Sequence, residues 1–151
     1  MKIKTIFLLP ILVFGLIVLS CDDEIEGIWV SENGRAENAY HKGNIEWYYD
    51  GEPVFKGKYS ISGDKITQTP THIYGKNVKE LLLMIKIVSD VDESKWYSKE
   101  EVENKFTQDI EKKILIPAFD SKTFTCSVSG ETLTMINERS AAGGNFSRKT
   151  I

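Results

Sequence analysis

Residues 59–67 read Tyr59-Ser60-Ile61-Ser62-Gly63-Asp64-Lys65-Ile66-Thr67, and residues 126–134 read Cys126-Ser127-Val128-Ser129-Gly130-Glu131-Thr132-Leu133-Thr134. The two stretches align without a gap, and their apolar and polar positions coincide throughout. Alternation with period two predicts half-buried strands. Gly63-Asp64 supplies the left-handed backbone that a two-residue hairpin turn demands. Each stretch therefore predicts strand, tight turn, strand. Two copies are too few to stack as a solenoid, so the hairpin is read as a reused unit of an antiparallel meander. Cys126 aligns with Tyr59, on the face that carries Phe124 and Val128, and is expected to be a small buried thiol without chemistry.

The same alternation extends to both sides. Gly27-Ile28-Trp29-Val30 is apolar and β-rich, and Ile45-Glu46-Trp47-Tyr48-Tyr49 puts Ile45, Trp47 and Tyr49 on one face. Val54 to Ile61 puts Phe55, Gly57, Tyr59 and Ile61 on one side and Lys56, Lys58 and Ser60 on the other. Asp50-Gly51 is a further turn, and Asn145-Phe146-Ser147-Arg148 after Gly143-Gly144 predicts a short closing strand. One helix interrupts the pattern. Ser98-Lys99-Glu100-Glu101 is a capping box, and Val102, Phe106, Ile110 and Ile114 follow at four-residue spacing, predicting a helix from Lys99 to Lys113 that packs on the barrel or plugs one end. Leu81 to Val88 reads two ways: Glu80-Leu81-Leu82-Leu83-Met84 suits a helical turn, while the β-branched end suits a strand, and a strand is expected. The count is eight strands with short turns and no β-α-β alternation. An antiparallel meander of that length removes its edges by closing. The expected fold is mainly all-β, an eight-stranded antiparallel up-and-down barrel with one inserted α-helix. An interior of that size is nearly filled by side chains or holds one small ligand.

Gly27-Ile28-Trp29 at the start of the first strand resembles the Gly-x-Trp signature of lipocalins. The resemblance implies that Trp29 closes one end of the barrel and that an arginine from the last strand lies across its ring; Arg148 matches that position, with Arg139 its rival. A guanidinium over an indole contributes about 0.5–2 kcal/mol. Lys56 to Thr67, continued by Thr71-His72-Ile73-Tyr74, is similar to lipocalin-like bacterial lipoproteins. On this resemblance residues 27–151 form a lipocalin-like barrel domain.

The N-terminus sets the expected location. Lys2 and Lys4 precede an uncharged apolar run from Ile6 to Leu19, followed by Ser20 and Cys21. This is the layout of a secretory signal peptide over residues 1–20. A membrane-spanning helix needs about 20 apolar residues, which the run does not reach. Val18-Leu19-Ser20-Cys21 resembles the bacterial lipobox, although position 19 more often holds a smaller residue. The resemblance implies cleavage before Cys21 and a thioether from its sulfur to diacylglycerol, and several acyl chains give a stable anchor at about 0.8 kcal/mol per buried methylene. The competing reading is a disulfide between Cys21 and Cys126, the two cysteines of the chain. Cleavage removes two of the 19 basic residues and none of the 22 acidic ones, leaving 17 against 22 and a net charge of −5 over residues 21–151. That balance argues against a nucleic-acid partner and leaves membrane attachment to the lipid. Residues 21–26 are expected to be the lipidated cysteine and a short acidic tether, at most ~18 Å long from Asp22 to Glu26. The expected location is the bacterial cell envelope, lipid-anchored outside the cytoplasm, with the leaflet open.

Catalytic chemistry finds little support in the residues. The two histidines, His41 in a turn and His72 in a strand-like segment, are not joined by a Gly-x-Ser-x-Gly elbow, and no zinc or calcium spacing occurs. No catalytic residue, metal or cofactor is expected. The rings Trp47, Tyr49, Phe55, Tyr59, Tyr74, Trp96 and Tyr97 either fill the core or line a pocket. Trp47, Tyr59 and Tyr74 are the expected ligand-wall residues. The functional expectation is a membrane-anchored lipoprotein that binds a small apolar or amphipathic molecule without catalysis. The alternative is an envelope or surface protein-interaction module with a filled barrel. A lumen above ~300 Å³, the lower end of ligand pockets, separates the two.

Overall fold

The computed structural model describes Cys21 and residues 23–150; the signal peptide expected over residues 1–20 lies outside the described residues. Among the described residues nine strands form one antiparallel sheet: β1 (Gly27–Ser31), β2 (Ala36–His41), β3 (Asn44–Tyr49), β4 (Glu52–Ser62), β5 (Lys65–Tyr74), β6 (Trp96–Ser98), β7 (Lys122–Ser129), β8 (Thr132–Asn137) and β9 (Gly143–Arg148). Eight of them close into a barrel in the order β4-β3-β2-β1-β9-β8-β7-β5, with β5 returning to β4. The expected up-and-down closed barrel is what the chain forms. β6 is the addition. It pairs with the last three residues of β5, Ile73 opposite Tyr97, while Lys65 to Gln68 at the other end of β5 pair with β7.

Turn chemistry sets the register. The repeated hairpins do have two-residue loops, Ser62 pairing with Lys65 and Ser129 with Thr132. Gly63 and Gly130 supply φ values of 62° and 57°. Asp50-Gly51 takes φ 50° and 80°, as a turn matched to strand twist requires. Within β4 the register shifts between Lys56 and Gly57. A Cβ on Gly57 would run into the Thr69 carbonyl of β5, so the strands approach there as only glycine permits.

Two helical expectations are corrected. Residues 81–88 are not a strand: α1 runs Gly75–Met84, because Val78 and Leu82, four apart, are both buried in one cluster with Ile73. Its first N–H groups find partners in the following loop, Gly75 N–H donating to Lys95 O at 2.8 Å and Lys76 N–H to Glu93 O at 3.1 Å. Its end is closed by Lys86 at φ 61°, with Lys86 N–H donating to Leu83 O and Ile87 N–H to Leu82 O, both at 2.9 Å. This is a Schellman-type stop made without glycine. The single helix expected over 99–113 is two, α2 (Lys99–Lys105) and α3 (Asp109–Leu115). Phe106 ends the first by turning to φ −103°, ψ 100° and burying its ring, while Ile110 is left exposed. The buried positions of α3 are Glu111 and Leu115 instead.

The capping box at Ser98 forms as expected: Glu101 N–H donates to Ser98 Oγ at 3.2 Å and Ser98 N–H to Glu101 Oε2 at 2.9 Å. Ser98→Ala is expected to lower the unfolding free energy by about 1 kcal/mol, read as a shift in the urea midpoint. The Glu101 carboxylate accepts that Ser98 N–H and sits 2.9 Å from Lys95 Nζ, which together hold its pKa at about 2 against the usual 4.5. A depressed folded-state pKa means that this support is complete above pH 4.5 and is lost as pH falls through about 2.

The described residues form two hydrophobic clusters. One fills the lower half of the barrel with Trp29, Tyr40, Ile45, Ile66, Cys126, Val128, Leu133 and Met135. The other lies under the helices and joins Ile73, Val78, Leu82, Tyr97, Val102, Phe106, Leu115 and Phe119. Each large apolar side chain so buried contributes roughly 1.5–3 kcal/mol.

Part of the expected tether is folded: Asp23–Ile25 is one 3₁₀ turn, and Ile25 is 1% exposed in the barrel cluster. Its carbonyls are tied down, Trp29 Nε1 donating to Ile25 O at 2.7 Å and Arg148 donating to both Glu24 O and Glu26 O at 2.7 Å. Cys21 and Cys126 are buried and joined by a disulfide, with Cα atoms 5.9 Å apart, within the usual range for such bridges. Cys126 is thus buried as expected but not an unpaired thiol. A sulfur in this bridge has no bond left for a thioether, so the bridge stands in the structure where the lipid on Cys21 was expected.

Candidate functional site

The barrel has a closed end and a hollow one. At the closed end Trp29 and Arg148 lie directly opposite each other on β1 and β9, with the guanidinium carbon 4.3 Å from the indole centroid. Trp29 is fully buried, and the 3₁₀ turn of 23–25 and the disulfide seal the space beneath it. The structure thus brings together the pair expected from sequence. Arg139, the rival, is an exposed turn residue after β8, its N–H bonded to Asn137 Oδ1.

Toward the other end the interior opens into two adjoining cavities of about 440 Å³ and 420 Å³. They share five wall residues, Asn38, Trp47, Gln68, Lys122 and Phe124. The first continues past Val54, Phe55 and Pro70 to Asn77 of α1 and Ala118. The second continues past Met135 and Phe146 to the glycines of β9. The helices therefore roof one side of the mouth, and the meander's long turns rim the other. Strand register explains the shared wall. Asn38 stands opposite Trp47, Trp47 opposite Phe55, and Gln68 opposite Lys122, so one rung around the barrel carries the residues that both cavities meet. Trp47 and Phe55 pack edge to face, with centroids 6.2 Å apart.

Two members of this rung form a polar floor. Gln68 is 4% exposed and Asn38 8%. Gln68 Nε2 donates to the Tyr40 hydroxyl at 2.7 Å and Asn38 Nδ2 donates to it at 3.5 Å. The hydroxyl in turn donates to Met135 Sδ at 3.6 Å. Burial pushes the Tyr40 phenol above its ordinary pKa, so it stays protonated and keeps that donor. Above the floor the wall is largely aromatic and aliphatic. At the rim, Lys122 is exposed and forms no ion pair among the described residues. The site is thus an apolar cup with two amides at its base and one cation at its edge. A hollow of 440 Å³ lies within the usual range for small-molecule pockets.

Of the three expected wall residues, Trp47 lines both cavities. Tyr59 points inward but sits lower, packed edge-on against Tyr40 at 5.2 Å in the filled half. Tyr74 lies elsewhere, corrected by its packing: its ring meets Trp96 of β6 at 5.0 Å, a ring that Lys56 covers from the other side. Tyr74 therefore lines none of these cavities. Sequence reasoning missed Asn38, Tyr40, Gln68, Lys122 and Phe124. Gln68 left a signal, since it shares the inward phase of buried Ile66 two residues before, and a polar residue in an apolar phase marks a built site.

His72 bonds Thr71 Oγ1 through its ring at 2.9 Å, and burial followed by the charge of Lys56 lowers its pKa, which keeps it neutral near pH 7. Exposed His41 lies 3.8 Å from Glu26. Among the described residues no three His, Cys, Asp or Glu side chains converge on a point that could hold a metal.

No protein-family model and no curated protein matches this chain. Among solved structures it is similar to an uncharacterized protein from Bacteroides eggerthii DSM 20697, at 14% identity and a TM-score of 0.47, over 82% of this chain and 98% of that one.

Proposed function

We propose that this protein works outside the cytoplasm as a non-catalytic binder of a small apolar or amphipathic molecule, held in the mouth of its barrel. The observation that carries the reading is the hollow itself: about 440 Å³ bounded by Trp47, Phe55, Phe124 and Pro70, in a barrel whose other end holds the buried cluster around Trp29. The interaction-module alternative requires a filled barrel, and this one is filled only below Tyr40. Unpaired Lys122 at the rim suits a ligand with an anionic head. Export is supported from two directions. The residues preceding Cys21 have the layout of a signal peptide, and both chemistries open to its sulfur, a bridge to Cys126 or a lipid thioether, belong to compartments beyond the cytoplasm. The bridged form is soluble unless something else holds it; the thioether form is the membrane-anchored lipoprotein. Labelling with an alkyne fatty acid, compared between wild type and Cys21→Ala, separates them.

The binding role is tested by titrating the purified protein with anilinonaphthalene sulfonate and by native mass spectrometry. Saturable binding is expected at one site per chain, weakened about tenfold by Trp47→Ala, since a buried aromatic contact is worth on the order of 1–1.5 kcal/mol beyond its area. Folded protein that neither retains a small molecule nor binds the probe would overturn the reading.

A further inference from the structure

We propose that the cavity selects ligands that lead with a hydrogen-bond donor, a hydroxyl or an N–H on a ring-sized apolar body, and discriminates against isosteres lacking one. This deepens, and rests on, the binding role proposed above. Asn38 and Gln68 are each more than nine-tenths buried, yet each spends one amide N–H on the Tyr40 hydroxyl and neither side-chain oxygen accepts a hydrogen bond from the described residues. Nor is either oxygen sealed away: among the described residues no enclosed side-chain nitrogen or oxygen lacks a partner. The two carbonyl oxygens therefore open onto the cavities that both residues line.

Their orientation follows from the strands and from Tyr40. Asn38 and Tyr40 are two residues apart on β2 and so share one face, and Gln68 meets them from across the barrel on β5. The hydroxyl, placed between the amides, gathers a nitrogen from each and turns both oxygens away from itself. The result is a pair of acceptors at the base of an aromatic cup, with no donor among the described residues to meet them. A ligand that ends in a hydroxyl or N–H satisfies at least one oxygen. A ligand that ends in a methyl or an ether gives neither oxygen a donor, and buried acceptors left unpaired make such a site reject the wrong analogue more strongly than apolar contacts alone can.

The test is displacement of anilinonaphthalene sulfonate from the full chain by three matched rings: naphthol, methoxynaphthalene and methylnaphthalene. Naphthol is expected to bind about tenfold more tightly than the other two. In Gln68→Leu and in Asn38→Leu that preference is expected to shrink to about twofold, with circular dichroism and a cooperative urea transition reporting that each variant is folded. The wild-type comparison stands without the variants. Equal affinity for the three rings, or a preference for the ether, overturns the donor selectivity and leaves the binding role in place. Failure of all three to displace the probe overturns both.

Discussion

Trp29→Ala is expected to lower the unfolding free energy by about 3–5 kcal/mol, the usual cost of deleting a buried indole. Three groups lean on this ring. Its Nε1 donates to Ile25 O at 2.7 Å, Arg148 stacks on its face at 4.3 Å, and the barrel cluster packs around its edge. Removing it leaves a cavity at the closed end and frees the 3₁₀ turn of 23–25. Trp29→Phe keeps most of the volume and separates the packing loss from the lost hydrogen bond. Arg148→Ala is expected to cost less, about 1.5–3 kcal/mol, for its two charge-assisted bonds to the carbonyls of Glu24 and Glu26. A double-mutant cycle over Trp29 and Arg148 is expected to show coupling on the order of 1 kcal/mol. Additivity of the two changes would mean that the stacked geometry contributes nothing beyond contact.

Cys126→Ser is the second large change. The bridge it breaks spans 105 residues, and closing a loop of that length in the unfolded chain stabilises the folded state by roughly 3–5 kcal/mol. A loss of that size in chemical denaturation, matched by reduction of the wild type, is the expected result. The outcome also reads the fate of Cys21. In a chain whose Cys21 carries a thioether, Cys126→Ser removes only a small buried thiol and the unfolding free energy falls by about 1 kcal/mol or less. Intact mass gives an independent answer, since the bridged chain is two hydrogens lighter than the reduced one and the acylated chain far heavier than either.

The barrel was legible because its code is local and repeated. The Tyr59–Thr67 and Cys126–Thr134 hairpins carry alternation and turn glycines together, and both formed in register. The Trp29 and Arg148 pair was legible through the Gly-x-Trp resemblance, which implied an arginine from the last strand over the ring, and the pairing of β1 with β9 is what brings the two together. The α1 helix was not legible. It lacks a capping side chain at its start, where loop carbonyls of Glu93 and Lys95 do that work, and it stops at a lysine in the left-handed region. Neither device is written in the residues that sequence patterns weigh. The helix split at Phe106 hid for a similar reason, because four-residue spacing continued to Ile110 while burial did not. At the site, aromatic content pointed to Trp47, but ring count cannot tell an inner face from the outer contact of Tyr74 and Trp96. Asn38 of the floor was missed because β2, Ala36–His41, shows too weak an alternation to fix which of its residues look inward, whereas Gln68 on β5 was readable from its phase with Ile66.

The pairing of β1 with β9 has a consequence for how the molecule can be handled. Because Cys21, Ile25 and Arg148 all gather around Trp29, the two ends of the folded body leave from the same pole, and the mouth lies at the opposite one. A label, bead or surface joined close to Cys21 or to Lys149 meets the sealed pole and leaves the cup pointing outward. An immobilised sample should therefore bind the same probes as the free one.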